Sequence, residues 1–160
     1  MRLLTRLRNY HLLALIAVLC FSGVGLALIS QYVFDMQPCA WCTFQRLMYL
    51  GIGVIAIASL LASITLRKAL SAMIALTAAS GIGVAMYQHF VAAKSFSCGF
   101  AWPDRFMVKS GLDGLAPWLF RAQGNCADAN LPLLGVPYAF WSAALFALIT
   151  AMAIGALRRH

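Results

Sequence analysis

The chain has 160 residues, a single domain's length, of which 63% are hydrophobic and only 10% charged. An ordinary soluble domain carries roughly 25% charged residues, so the composition excludes one and points to an integral membrane protein. The net charge of +8 does not make a nucleic-acid-binding face: Arg2, Arg6, Arg8, Arg67, Lys68, Arg158 and Arg159 lie at the ends of apolar runs, not along one soluble surface.

In chain order, the first apolar run covers about residues 12–29. It follows a basic start, as in a signal peptide. The run is longer than a signal's apolar region, though, and no small-x-small cleavage site ends it. Leu19 before Cys20 also argues against a lipoprotein cleavage site. Residues 12–29 are therefore expected to be a retained span, with Cys20 as a small packing residue inside it. Residues 30–43 are expected to form a short loop, and the stretch "QPCAWCTFQR" (Gln37–Arg46) runs from its end into the next span. The second span is expected over about 44–66 and the third over about 69–90, separated by little more than "RK". A long loop, 91–135, leads to a fourth span over about 136–157. Each run approaches the roughly 20 residues that a helix needs to cross the hydrocarbon. Helix is the default because lipid offers no water to open backbone groups. The expected fold is an all-α membrane bundle of four helices, one integral domain over 1–160, with two loops on one side.

Charge assigns the sides. The seven cations named above share one side without any acid, whereas Asp35, Asp104, Asp113 and Asp128 all fall in the two loops. By the Lys/Arg bias of short loops, both termini are expected in the cytoplasm and both cysteine-bearing loops outside. In the long loop, Leu112, Leu115, Trp118 and Leu119 recur at helical spacing with few charges, which predicts a short helix resting in the membrane interface. Trp102 and Trp118 are natural interface anchors.

Of the five cysteines, Cys39, Cys42, Cys98 and Cys126 lie in the outer loops. One reading is two structural staples in an oxidising compartment. However, a CxxC ring is too short to remove much chain entropy, and dithiols at this spacing are where thiolates form and exchange readily. Zinc is disfavoured, because the second pair, Cys98 and Cys126, lacks the spacing of a zinc ribbon. Pro38 disfavours helix just before it, so the second helix is expected to begin near Ala40 or Trp41 with Cys42 in its first turn. Arg46 is then one turn on, its side chain leaning back toward the sulfur of Cys42, where the helix dipole also favours an anion. Arg46 can be read as a snorkelling interfacial cation or as a group that steadies a thiolate and holds an oxidant's carbonyl. His89, closing the third span in "YQHF", can be read as a polar cap or as a donor to a second ligand oxygen.

These residues together resemble the disulfide bond formation protein B (DsbB) family. The likeness covers nearly the whole chain and is carried by "PCAWCTFQR", "YQH", "GNCA" around Cys126 and "LLGVPYAFW" entering the fourth span. The resemblance implies a bacterial inner-membrane thiol oxidase; a monomer is the simplest reading of a sequence that does not disclose oligomeric state. Cys98 and Cys126 would form a disulfide that a reduced, periplasmic, DsbA-like thioredoxin-fold oxidase attacks at Cys98. Freed Cys126 would attack Cys39, releasing Cys42 as a thiolate near Arg46, and electrons would pass to ubiquinone or menaquinone. His89 would match a family histidine near the quinone. A DsbA-like donor sits near about −120 mV, so only a strongly oxidising sink such as the quinone pool makes the flow downhill. The rival readings are a scaffold with inert disulfides and a carrier moving reductant outward. The carrier would need paired cysteines within the spans, and Cys20 has no partner there.

Overall fold

A computed structural model describes residues 2–94, 101–128, 132–133 and 135–158. The chain is built on four long apolar helices: α1 (Arg2–Val33), α2 (Ala40–Leu61), α3 (Ile64–Phe90) and α7 (Tyr138–Leu157). All four are long and apolar enough to span a membrane. Their shared interior is one apolar core, with Leu13, Ile16, Ile52, Ile74, Phe146 and Ile149 fully buried. Large apolar side chains such as Leu26, Val54, Leu76 and Leu148 face outward instead. This inversion suits a bundle whose solvent is lipid. It is the four-span, all-α bundle expected from the sequence.

Without a hydrophobic drive between helices in lipid, packing relies on close approach at small residues. Gly81 of α3 supplies one such point: a Cβ there would lie 2.6 Å from the ring of Phe146 on α7. The same ring stacks on Tyr49 of α2 with centroids 4.1 Å apart. Gly53 of α2 similarly admits Phe21 and Cys20 of α1.

The boundary between the second and third helices differs from the expected one. The break falls at Ala62 and Ser63, so Arg67 and Lys68 belong to the first turns of α3 rather than to a connecting loop. Arg67 is buried. Its Nε donates to Ser59 O at 3.0 Å and its Nη2 to Ala62 O at 3.0 Å, closing the carbonyl end of α2. Nη2 also donates to Tyr10 Oη at 2.6 Å, and the guanidinium lies 4.1 Å from the Tyr10 ring centroid. The apolar run across 62–66 concealed the break, because the residue that makes it lies five positions beyond.

The long loop is more structured than expected. The helix predicted across Leu112–Leu119 is two short helices, α5 (Leu112–Leu115) and α6 (Pro117–Phe120), broken where Pro117 cannot continue the first. Leu119 and Phe120 point into the core, while Leu115 and Trp118 are exposed. Before them lies α4 (Trp102–Ser110), absent from the expectation and ended by Gly111 at φ 73°. Trp102 and Phe106 stack at 5.7 Å, and Phe44 of α2 meets both edge-on. Buried Met107 anchors α4 against the core. A two-residue hairpin, β1 (Pro132–Leu133) with β2 (Val136–Pro137), then hands the chain to α7. A 3-10 turn (Ala92–Lys94) follows α3.

Candidate functional site

Cys39 is the N-cap of α2, with extended backbone at φ −83° and ψ 170°, and Cys42 lies in the first helical turn. Their sulfurs are 3.0 Å apart. Cys39 is fully buried, whereas Cys42 is partly accessible.

The second loop reaches this turn through backbone bonds. The amides of Gln123 and Gly124 both donate to Pro38 O, at 3.0 and 3.1 Å. A Cβ on Gly124 would lie 2.7 Å from Gln37 O, so only glycine allows this approach. Two residues later, fully buried Cys126 packs with Cys39 and Ala92 in a small cluster flanked by Trp41 and Cys42. Cys126 and Cys39 are hydrogen-bonded through their side chains, and this contact, chief among several, pushes the Cys39 thiol up to about 12. Burial adds to the effect, while the Cys42 contact opposes it. Three of the four outer cysteines thus meet in the order Cys126, Cys39, Cys42. Cys98 lies outside the described residues. Cys20 sits apart from Cys39, Cys42 and Cys126, in the apolar core.

Beyond Cys42 lies a cavity of about 600 Å³ between α1, α2 and α7. Leu26, Ile29, Phe34, Trp141 and Leu145 give it apolar walls, and Cys42, Gln45, Arg46, Tyr49, Tyr138 and Ser142 supply its polar side. Arg46 is buried. Its Nη1 donates to Gln31 Oε1 at 2.7 Å and Leu119 O at 3.2 Å, and its Nη2 to Ala27 O at 3.2 Å. The guanidinium therefore ties α1 and α6 to α2 while lining the same cavity as Cys42. None of these hydrogen bonds goes to the sulfur of Cys42. Besides Cys39, the side chain in contact with that sulfur is Gln88, whose Nε2 is 3.2 Å from Cys42 Sγ.

His89 stands elsewhere. Its ring packs against Phe90 at 4.9 Å and Phe140 at 4.7 Å, and it is not among the cavity-lining residues. Successive residues of a helix point about 100° apart, so turning Gln88 toward Cys42 turns His89 away.

Sequence reading gave Gln31, Gln45, Gln88, Ser142 and Tyr49 no part in the site. The signal was present: Gln45 and Gln88 are amides within apolar runs, and polar groups inside lipid-spanning helices need partners. Gln45 Nε2 donates to Gln88 Oε1 at 2.6 Å, and Ser142 Oγ donates to Gln45 Oε1 at 2.5 Å.

The comparisons with known proteins identify the family. The family model described as "Disulfide bond formation protein DsbB" matches residues 9–156. Proteins named disulfide bond formation protein B are similar along nearly the whole chain. One from Cupriavidus metallidurans is 32% identical, covering 96% of this chain and 94% of its own length. One from Burkholderia thailandensis is 33% identical, covering 96% and 92%. One from Nitrosospira multiformis is 30% identical, covering 84% and 83%. With four membrane-spanning helices and that match, the chain belongs to the DsbB family of disulfide bond formation proteins and is an integral inner-membrane protein with a disulfide-forming redox role.

Proposed function

We propose that the chain is a quinone-dependent thiol oxidase that reoxidises a periplasmic, DsbA-like thioredoxin-fold oxidase. The observation that carries this reading is the line of sulfurs from Cys126 through Cys39 to Cys42, ending at a membrane cavity. A staple would bury its sulfurs away from any acceptor. Here the last sulfur lines a space of about 600 Å³ with apolar walls and one buried guanidinium.

Those residues fit a lipid-borne quinone. Apolar walls from α1 and α7 suit a ring and its isoprenoid tail, and Arg46 suits a carbonyl oxygen that gains negative charge. Ubiquinone or menaquinone, when bound, supplies a two-electron, two-proton acceptor.

The chain's own chemistry is thiol–disulfide exchange. A partner thiolate attacks Cys98 of a Cys98–Cys126 disulfide; the new bond is a mixed disulfide and the leaving group is the Cys126 thiolate. That thiolate attacks Cys39 of the Cys39–Cys42 disulfide, forming Cys39–Cys126 and releasing Cys42 as a thiolate at the cavity. The partner's second thiol then displaces Cys98. Freed Cys98 reforms its bond to Cys126 and returns Cys39 as a thiol, so the first pair is left reduced. Reoxidation of the Cys39–Cys42 pair passes two electrons and two protons to the acceptor. Over the cycle the partner's dithiol loses the same two electrons and two protons. Cys39 suits the role of attacked sulfur, because it is the member of the pair against which Cys126 packs. The clustering of Lys and Arg at the chain ends and in the first turns of α3 supports cytoplasmic termini and a periplasmic site.

The test is purified chain in detergent with a reduced thioredoxin-fold oxidase and a short-chain ubiquinone or menaquinone, followed by quinone absorbance. Quinone loss matching the partner thiols oxidised is expected, and Cys42→Ser should abolish it. Partner oxidation with no change in quinone absorbance would overturn the proposal.

A further inference from the structure

We propose that Gln88 donates the hydrogen bond that stabilises the Cys42 thiolate. Gln45, Ser142 and Tyr49 are positioning residues that fix which end of the Gln88 amide meets the sulfur. The inference rests on the reading of Cys42 as the sulfur that gives up electrons.

The four side chains form one continuous chain of hydrogen bonds across α2, α3 and α7. The Tyr49 hydroxyl lies 2.9 Å from both the carbonyl and the Oγ of Ser142. Ser142 Oγ donates to Gln45 Oε1, Gln45 Nε2 donates to Gln88 Oε1, and Gln88 Nε2 donates to Cys42 Sγ. Gln88 is 1% exposed and Gln45 5%. Neither amide has ready water with which to replace a lost partner.

An amide has a donor end and an acceptor end, and a thiolate only accepts. If Gln88 turned over, its carbonyl would face the sulfur anion and its NH₂ would face the NH₂ of Gln45. If Gln45 turned over in response, its NH₂ would face Ser142 Oγ, which would then have to give up its role as donor. The chain therefore has one favourable polarity when Cys42 is charged, with donors pointing toward the sulfur. In a low-dielectric site such aligned bonds strengthen one another.

This divides the work between two groups. The hydrogen bonds of Arg46 go to Gln31, Leu119 and Ala27, so its charge acts without a hydrogen bond to the sulfur. Gln88 supplies the direct contact.

The experiment uses the full-length chain with Cys39→Ser, Cys98→Ser and Cys126→Ser, leaving Cys42 and the core residue Cys20. Thiolate at Cys42 is read by its ultraviolet absorbance near about 240 nm against a Cys42→Ser background, and by the rate of iodoacetamide labelling. Gln88→Met keeps length and removes the donor. Its thiolate signal at a pH where neither protein saturates should fall about tenfold, the size of a lost charge-assisted bond. Gln45→Met never touches the sulfur and frees the Gln88 amide to turn; its signal should fall about threefold. Absorbance is blind to reagent access, so a packing change that merely opened or closed the site would not reproduce the effect. A Gln88→Met signal within about twofold of the parent would overturn the proposal, and so would an unchanged signal in Gln45→Met should Gln88→Met not fold. No quinone or partner is present in either readout. Failure of quinone turnover in the unmodified chain would sink the functional reading and leave this result standing.

Discussion

Arg46 and Cys39 show how one residue's surroundings set its task. Arg46 holds three acceptors on two other helices, Gln31 and Ala27 on α1 and Leu119 on α6. Arg46→Gln should therefore do two things: weaken apparent quinone affinity about tenfold or more, and loosen α6 from α2. Arg46→Lys keeps the charge but offers a point rather than a planar fork, so it should recover part of the affinity and little of the docking. Steady-state kinetics against quinone concentration, with proteolysis of the second loop, would check both; unchanged quinone affinity in Arg46→Gln contradicts the proposed site. For Cys39 the sign is set by a thiol raised from its ordinary value of 9.0 to about 12. The neutral form persists below pH 9 and is lost as pH rises from there toward about 12. Iodoacetamide should label Cys39 of the reduced chain sparingly at pH 7 and increasingly above pH 9. A labelling midpoint below pH 8 contradicts that environment.

At the scale of elements, the junction of the two outer loops is the most sensitive joint. Gly124 lets the second loop lie against Gln37 and Pro38, and Cys126 follows two residues on. Gly124→Ala should push the loop away and slow partner-driven reduction of the Cys39–Cys42 pair about tenfold or more, since small misplacements of reacting atoms are costly. Reduction of that pair by a small dithiol should change little. Equal slowing of both would show that the loop has no guiding part. Within the bundle, Gly81→Ala meets the Phe146 ring and should destabilise by about 1–3 kcal/mol, readable as a lowered melting temperature in detergent. The four spans were legible in the sequence because long uncharged runs have no other use. The start of α2 was legible because Pro38 excludes helix just before the cysteines. The turn at Ala62 and Ser63 was not, because it depends on Arg67 reaching back to Ser59 O and Ala62 O. Nor was α4, whose apolar contacts through Trp102, Phe106 and Met107 are interleaved with Asp104, Arg105 and Lys109.

Across the whole molecule, four spans bring three separate segments together at one end of the bundle. The CxxC turn caps α2, the "GNCA" segment hangs from it by backbone bonds, and the cavity opens behind both between α1 and α7. Cys39, Cys42, Cys126 and Arg46 could be singled out in the sequence because each sits in a short, unusual pattern, "PCAWCTFQR" or "GNCA". The glutamine chain could not, because Gln45, Gln88 and Ser142 come together only when α2, α3 and α7 are packed. The account depends on Cys126 being the sulfur that reaches Cys39. The most direct measurement is disulfide mapping by mass spectrometry of the full-length, fully oxidised chain after reaction with a reduced partner that lacks its second active-site cysteine, with no quinone present. That partner stays bonded to Cys98, so Cys39 should be found bonded to Cys126 with Cys42 as a free thiol. An intact Cys39–Cys42 bond beside a free Cys126, or Cys126 bonded to Cys42, would contradict the path.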